Sequence, residues 1–380
     1  MIRTFLNGFF SEINTIPAIL RNQHYPSLDG LRGVAILLVI FAHLQLSTNF
    51  LYSAIFSGPL GVLIFFVLSG FLITTLCIRE KVTTGTISLK NFYVRRVLRI
   101  LPVAYLYLVV ICVLNQVFNL KIHYISLLGS MLFLQDFTSY FRKYYSSWYT
   151  GHYWSLSVEE QFYLLVPFIL KKQFKLYLFL ILFIIFAIPA IMVLQYFYPV
   201  FNSGALYAFT HFLIKFQAIA VGCFCSICMF KYADVKSVFA KYKLMGNVAA
   251  ILIIFSIGYN DLLDLQNVFS GLIVSLLTGY IIITNITTLS DFVYKFLNWK
   301  ALKIIGILSY SIYIWQELFT ARENMLPGLV NVFPYNVLWI AIVSSLSYYI
   351  YESYFLRLKK KFYSVKKVTS KAEVSTTATT

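Results

Sequence analysis

Long apolar runs recur along nearly the whole chain, and they constrain its fold more than any other feature. Each run is close to the roughly 20 residues that a helix needs to cross a bilayer. There are ten of them, at 33–50, 58–78, 100–118, 153–170, 174–197, 209–230, 244–260, 266–288, 301–320 and 335–356. Of the 380 residues, 60% are apolar and 12% are charged, whereas soluble proteins carry about 25% charged residues. The sequence therefore predicts an all-α, polytopic membrane helix bundle of about ten transmembrane helices.

An eleventh apolar stretch, 124–138, is shorter than the others, and the distribution of basic residues decides how it is interpreted. With ten spans and a cytoplasmic N-terminus, most of the 31 Lys and Arg residues fall on the inner side. A full crossing at 124–138 would instead place the run 359–361 outside, against the positive-inside rule. We therefore predict a re-entrant or surface-lying segment at 124–138. The net charge of +17 then reports membrane orientation, and no nucleic-acid partner is expected.

The same pattern divides the chain into three segments. We expect an N-terminal cytoplasmic or interfacial segment at 1–24, a membrane domain at 25–356 and a basic, then disordered, cytoplasmic tail at 357–380. The end of the tail is small and polar, which is typical of disorder. The cysteines clustered at 223–228 lie in an apolar stretch without a nearby His or carboxylate. They are interpreted as packing thiols, so no metal site is expected.

The first span carries two ionisable residues on one helix face. The sequence SLDGLRGVAILLVIFAH places Arg32 and His43 eleven residues apart, and eleven steps of about 100° return to within about 20° of the start. If Arg32 lies at the cytoplasmic interface, His43 lies about 16 Å deeper, near the middle of the hydrocarbon core. Ionisable groups at that depth are candidates for function. The alternative is a structural His bonded across helices and an Arg that reaches the lipid head groups.

Three arginines lie together between the second and third spans. The sequence NFYVRRVLRILP puts Arg95 and Arg99 one helical turn apart, with Arg96 beside them. Guanidinium groups suit phosphate because their N–H donors match its oxygens in pairs. The alternative is a positive-inside anchor that binds anionic lipid.

Acidic residues lie near the predicted outer mouth of the fourth span, in HYWSLSVEEQFY. An acid there is costly unless it faces water or a partner. Glu159 and Tyr163 are four residues apart and share a helix face, so they are placed to line one cavity. The alternative is that Glu159 and Glu160 are solvated near the helix start.

Taken in order, these stretches resemble the acyltransferase-3 family of membrane acyltransferases over roughly residues 25–356. The motifs that carry the resemblance are SLDGLRGVAILLVIFAH, FFVLSGFLI at 65–73, FYVRRVLRILP at 92–102, WSLSVEEQFYLLVP at 154–167 and LSYSIYIWQ at 308–316. The resemblance implies transfer of an acyl group, usually acetyl, from cytoplasmic acyl-CoA such as acetyl-CoA. The acceptor it implies is a hydroxyl of a cell-surface or lipid-linked carbohydrate, such as a polysaccharide or lipopolysaccharide.

The resemblance also implies roles for residues of this sequence. His43 corresponds to the catalytic residue, Arg32 supports it, and Glu159 corresponds to the acidic position of the WSLSVE motif. The nucleotide end of the donor is expected to bind three arginines: Arg95, Arg96 and Arg99. Substrate contacts are expected from three further residues: Trp154, Tyr163 and Gln316. This chain has Gln316 where many relatives have His. Some members carry an outer hydrolase-like domain after the last span, and we expect any such second step to be performed elsewhere or not at all.

The alternative class is a transporter that flips a lipid-linked sugar or exports a small solute. Ten spans with intramembrane His43, Lys215 and Glu159 also suit a translocation path. The arginine-rich inner loop favours the acyltransferase, because a transporter has no need of acyl-CoA. The expected partners are acyl-CoA, a glycan or glycolipid acceptor and membrane lipid. The expected location is a bacterial inner membrane, crossed many times, with both termini cytoplasmic.

Overall fold

The protein is described by a computed structural model over residues 8–22, 24–47, 49, 52, 55–138, 147–198, 200, 204–232, 242–259, 268–286, 290–321, 326 and 328–362. Within these ranges the secondary structure is helical, without a β-strand. The predicted disordered tail from 363 onward lies outside the described residues.

The α-helices of the described residues are numbered here in chain order. They are α1 Pro26–Leu44, α2 Gly58–Thr84, α3 Leu89–Phe118, α4 Tyr124–Met131, α5 Gln135–Thr138, α6 Trp148–Gly151, α7 Tyr153–Lys172, α8 Phe174–Leu182, α9 Ile188–Phe197, α10 Gly204–Leu213, α11 Gln217–Lys231, α12 Lys243–Tyr259, α13 Val268–Ile286, α14 Phe292–Leu297, α15 Lys300–Thr320, α16 Tyr335–Leu346 and α17 Ser353–Lys359. π turns join α8 to α9 and α16 to α17, and a 3-10 turn joins α10 to α11.

Each predicted span overlaps a helix or two helices joined by a turn, although the helix at the first span, 33–50, begins at Pro26 and ends at Leu44. Among the described residues, six helical stretches are long and apolar enough to cross a membrane: Pro26–Leu44, Gly58–Thr84, Leu89–Phe118, Phe174–Phe197, Leu206–Lys231 and Phe269–Ile286. By this measure the protein is a multi-pass membrane protein, but the predicted count of about ten is not confirmed. Helix α12, with 17 residues, is short. Helices α7 and α15 carry polar residues that lower their hydropathy.

The segment 124–138 forms two short helices rather than one span. Helix α4 has eight residues, which is about 12 Å at 1.5 Å per residue and too short to cross a bilayer. The helix ends there, and the backbone changes direction at Phe133, which has a positive φ of 53°. Ser126 is buried and bonds Thr150 of α6 at 2.6 Å, and Gln135 bonds Ser157 of α7 through its backbone N–H at 3.1 Å. The segment therefore packs on protein, as a re-entrant segment must.

The centre of the bundle is built from close helix pairs: α1 with α15 and α2, and α2 with α11. Glycines allow the backbones to touch. A Cβ at Gly306 of α15 would lie 1.7 Å from the carbonyl oxygen of Asp29 in α1. A Cβ at Gly70 of α2 would lie 1.9 Å from the carbonyl oxygen of Ile219 in α11. Small residues at such crossings are typical of membrane helices.

Helices α1 and α15 run parallel. Asp29 and Gly306 touch near their starts, and His43 and Gln316 touch near their ends. In a ten-span topology α1 and α15 are the first and ninth spans, which cross in the same direction. An extra crossing at 124–138 would make them antiparallel. Their direction therefore supports the prediction that 124–138 does not cross.

The basic residues at one end of the bundle bind both ends of the described chain. Arg79 of α2 donates to the carbonyl of Asn22 at 2.8 Å, and Arg95 of α3 donates to the carbonyl of Phe362 at 2.7 Å. The N-terminal segment and the turn after α17 therefore lie at the same end, which we call the basic end.

Candidate functional site

His43 lies in the last turn of α1, half-buried, with its ring held by a buried amide of α15. Its Nδ1 donates to Oε1 of Gln316 at 2.7 Å, and Gln316 is fully buried. Because an amide oxygen only accepts, Nδ1 carries the ring hydrogen and Nε2 keeps its lone pair. That Nε2 has no hydrogen-bond partner among the described residues. His43 is therefore held in the tautomer that leaves a basic nitrogen available.

His43 lies close to the end of its helix. The predicted span at 33–50 continues beyond it, but α1 ends at Leu44, and Gln45 turns the chain with a φ of 44°. His43 therefore lies at the end of α1 that faces away from the basic end. The 19 residues of α1 extend for about 28 Å, so the two ends are well separated.

Trp148 of α6 is the aromatic residue against His43. The two rings meet edge to face with centroids 5.4 Å apart. Trp154, which the motif suggested as a substrate contact, lies instead against Phe66 of α2 at 6.0 Å and is 39% exposed. Sequence reasoning missed Trp148, because α6 is one short turn and carries no helical periodicity. The sequence analysis named only Trp154, the tryptophan inside the recognisable motif, and its predicted substrate contact stays a prediction.

A buried acid–histidine pair lies beside this contact. Oε2 of Glu317 accepts from Nδ1 of His152 at 2.6 Å and from the His152 backbone N–H at 3.2 Å. The two side chains are 7% and 1% exposed. The Nε1–H of Trp148 donates to the Glu317 carbonyl at 3.1 Å. The sequence offered one signal for this pair, an acid inside an apolar helix, but gave no indication of its partner.

Glu159 and Tyr163 of α7 share a face, as their spacing predicted. The Tyr163 hydroxyl donates to Oε2 of Glu159 at 3.2 Å, and Ser69 of α2 donates to Oε1 at 2.8 Å. The guanidinium of Arg96 lies over the Tyr163 ring at 4.6 Å. Helices α2, α3 and α7 therefore bring together three predicted site residues: Arg96, Glu159 and Tyr163.

The predicted arginine cluster forms at the basic end, but its members differ. Arg95 pairs with the buried Glu80 at 2.9 Å and also donates to the carbonyl of Phe362. Arg99 has no hydrogen bond or ion pair with the described residues, and Arg96 has only its aromatic contacts there. The donors of Arg95 are thus used by the protein, while those of Arg96 and Arg99 remain available to a ligand.

Arg32 and Lys359 complete this cluster. Arg32 pairs with Asp29 at 3.0 Å, and Asp29 also bonds His24 at 2.5 Å. Burial, together with the positive charges of Arg99, Arg96, Arg32 and Arg95, lowers the pKa of Lys359 in α17 to about 7. Sequence analysis had counted Lys359 only among the inner bases. The shift indicates a concentration of positive charge that the surrounding carboxylates do not neutralise.

Lys215, named for the transporter alternative, binds the 135–138 helix. Its ammonium donates to the Asp136 carbonyl oxygen at 3.1 Å and lies 3.4 Å from the Asp136 carboxylate. Asp136 also accepts from Gln161 of α7 at 2.8 Å. These contacts hold the 135–138 helix against the rest of the bundle.

Comparison with known proteins shows which family the chain belongs to. A family model described as an acyltransferase domain, acyltransferase-3, matches residues 25–350. The chain belongs to the acyltransferase-3 family. The O-acetyltransferase OatA of Staphylococcus aureus is 29% identical over 353 residues, covering 86% of this chain and 56% of the relative. A putative O-acetyltransferase of the same species is 28% identical over 363 residues, covering 88% of this chain and 57% of the relative.

The chain therefore spans somewhat more than half the length of these curated relatives. No solved structure matches it. Within this acyltransferase-3 domain, the described structure separates two chemical groups. Unpartnered cationic groups lie at the basic end, and a histidine with a free ring nitrogen lies at the opposite end of α1.

Proposed function

We propose that this chain transfers an acyl group, specifically acetyl, from acyl-CoA to a hydroxyl of a cell-surface or lipid-linked carbohydrate. Membership of the acyltransferase-3 family supports this proposal, as do relatives named O-acetyltransferases. The observation that carries it is His43, whose Nδ1 is bonded to Gln316 while Nε2 has no partner among the described residues. The proposal places the protein in a bacterial inner membrane with both termini cytoplasmic.

The donor binds by its charge at the basic end. Coenzyme A carries several phosphates, and charge-assisted bonds from guanidinium groups are the strongest contacts a protein offers them. Arg96, Arg99 and Lys359 supply the unpaired positive charge, and Arg32 adds to the field. Along α1, Arg32 and His43 are about 16 Å apart, so the donor's long pantetheine arm separates the phosphate site from the reacting thioester.

The acyl transfer then depends on the lone pair of Nε2 of His43. Nε2 of His43 takes the proton of the acceptor hydroxyl while its oxygen attacks the thioester carbonyl. The new C–O bond forms, the C–S bond breaks, and the proton passes to the departing thiolate. General-base assistance of this kind is worth about 10² to 10⁴ in rate. In a second form of the mechanism, Nε2 attacks the thioester carbonyl, the C–S bond breaks and the thiolate leaves. The acceptor oxygen then takes the acyl group as the C–N bond to the imidazole breaks, and the hydroxyl proton passes to the thiolate.

Substitution of His43 tests the proposal. His43→Gln keeps a hydrogen-bonding side chain, but it has no group that accepts a proton or an acyl group near neutral pH. We expect membranes containing a normally expressed His43→Gln protein to lose transfer of labelled acetyl from acetyl-CoA. Near wild-type transfer by this variant would contradict the catalytic assignment. Absence of any acetyl transfer by the wild-type chain, with accumulation of a transported sugar, would instead favour the transporter.

A further inference from the structure

We propose that the buried pair of Glu317 and His152 is a positioning element that aligns the imidazole of His43, acting through Trp148 and Gln316. Neither Glu317 nor His152 touches His43, so their effect passes through those neighbours. The inference rests on the proposed function, because it assigns importance to the orientation of Nε2.

Glu317 joins three parts of the chain at one point. Its carboxylate accepts both the Nδ1–H and the backbone N–H of His152, at 2.6 and 3.2 Å. Its backbone carbonyl accepts the indole N–H of Trp148 at 3.1 Å. One turn earlier, the Tyr313 hydroxyl donates to the His152 carbonyl at 3.1 Å and lies 2.5 Å from Ser155. Both backbone groups of His152 are thus bound by α15.

His152 is the residue at which α6 ends and α7 begins. Because α15 binds both backbone groups of His152, it holds α6 in place. Helix α6 carries Trp148. Trp148 in turn contacts the His43 ring at 5.4 Å. Gln316, the residue next to Glu317, bonds the other side of the same ring. Two consecutive residues of α15 therefore hold the His43 imidazole, one directly and one through Trp148.

The arrangement restricts rotation of the imidazole, so Nε2 keeps one direction. Such alignment matters because a misplacement of about 1 Å at a reacting group can cost about 10²-fold in rate. A carboxylate as buried as that of Glu317 is costly without partners. Its two donors from His152 satisfy it, and removal of either partner leaves a buried polar group unpaired.

The test compares variants per folded molecule, in membranes, with acetyl-CoA as the donor. Glu317→Leu removes the acceptor, and we expect kcat to fall roughly 10- to 100-fold while KM for acetyl-CoA stays within about twofold. Trp148→Phe keeps an aromatic ring but removes the indole N–H, and this variant should also have a lower kcat than the wild type. Glu317→Gln keeps an oxygen for His152, so it should recover part of the rate.

The split between kcat and KM supplies a readout that a merely structural role would not move. Misalignment of Nε2 lowers kcat per folded molecule, whereas a general loosening of the bundle also changes KM for acetyl-CoA. Asn247→Leu is the matched control. It breaks a buried polar pair with Thr284 between α12 and α13 and should leave kcat and KM per folded molecule unchanged.

The inference is overturned if Glu317→Leu and Trp148→Phe keep the wild-type kcat per folded molecule. It is also overturned if only KM for acetyl-CoA changes, or if Asn247→Leu shows the same loss. These results differ from those expected if the proposed function itself is wrong. If it is wrong, the wild-type protein transfers no acetyl group, or the His43→Gln protein remains active.

Discussion

Arg95, Arg96 and Arg99 lie within about one helical turn, yet their guanidinium groups have different surroundings. Arg95 is paired with a buried carboxylate and with a backbone carbonyl near the end of the described chain. Arg99 has no such partner among the described residues. A side chain whose donors are already bonded gains little from a ligand. At the residue scale, the three arginines should therefore contribute to different properties of the protein.

Alanine substitutions should separate these contributions. Arg99→Ala should raise KM for acetyl-CoA by roughly tenfold or more, because it removes charge-assisted bonds to phosphate. Arg95→Ala should instead cost about 3 kcal/mol of stability, because it removes the charge partner of the buried Glu80 carboxylate. KM measurements and thermal unfolding in detergent test both. Arg99→Lys should rescue KM only in part, since the fork geometry is lost. Unchanged KM in Arg99→Ala would make that arginine a lipid anchor.

The lowered pKa of Lys359 predicts that donor binding depends on pH. Its pKa is lowered to about 7 by burial and by the arginine charges around it, so it is charged below that pH and neutral above it. A bound phosphate favours the charged form, so binding takes up a proton and weakens as pH rises. KM for acetyl-CoA should rise roughly fivefold from about pH 6.5 to 8.5.

Lys359→Met is the control for that experiment. This variant keeps a side chain of similar length but cannot titrate. Its KM should be higher than that of the wild type at about pH 6.5 and nearly constant up to about pH 8.5. An equal rise of KM with pH in both proteins would assign the dependence to another group.

Helix α15 is the element on which the site depends most. It contacts α1 through a backbone crossing at Gly306, and its last turn carries Gln316 and Glu317. The contacts of Gln316 and Glu317 reach α1, α6 and α7. The geometry at His43 therefore follows from how closely α15 lies against α1.

Gly306→Ala should disturb both stability and activity. The added methyl would lie 1.7 Å from the carbonyl oxygen of Asp29, so the helices must move apart. Overpacking typically costs about 1–3 kcal/mol, and the bond between Gln316 and His43 should lengthen. Gly271→Ala in α13 is the matched control, since its nearest neighbour would be Gln217 at 3.9 Å. Yield, melting temperature and acetyl transfer are measured for both. Equal values for Gly306→Ala and the wild type would show that this crossing is not tight.

At the scale of the whole molecule, two chemically different groups lie apart along the direction of the helices. Positive charge collects at the end where the first and last described segments lie, and the histidine lies at the other end of α1. Parallel packing of α1 and α15 is what keeps the two ends distinct. Under the proposed function, a donor bound at one end and an acceptor at the other would react within one bundle.

Topology can be tested by cysteine accessibility in intact cells. Lys121→Cys and Arg142→Cys should both react with an impermeant reagent from outside, and Lys360→Cys only after the membrane is opened. Cys112, which is exposed, is first changed to Ser. Arg142 itself lies outside the described residues. Outside labelling at one of the positions 121 and 142, and inside labelling at the other, would mean that 124–138 crosses.

Local patterns in the sequence were sufficient for the elements and for contacts within one helix. Hydropathy predicted a helix at each of the ten apolar runs, and a helix overlaps each of them. The reason is that a helix buried in a bilayer needs a long apolar run. Helical periodicity placed Glu159 and Tyr163 together, and they bond at 3.2 Å. The motif order also indicated the family. These properties depend on residues that are near one another in the chain, so the sequence by itself determined them.

Contacts between distant helices were decided only by the tertiary structure. Gln316 meets His43 across 273 residues, and Glu317 meets His152 across 165. Neither pairing follows from periodicity, because the crossing of α1 and α15 sets which side chains face each other. The same holds for Lys359, which α17 brings to the arginines through packing on α3. Hydropathy determines that a helix is buried, but the partners of its polar groups depend on how the helices pack.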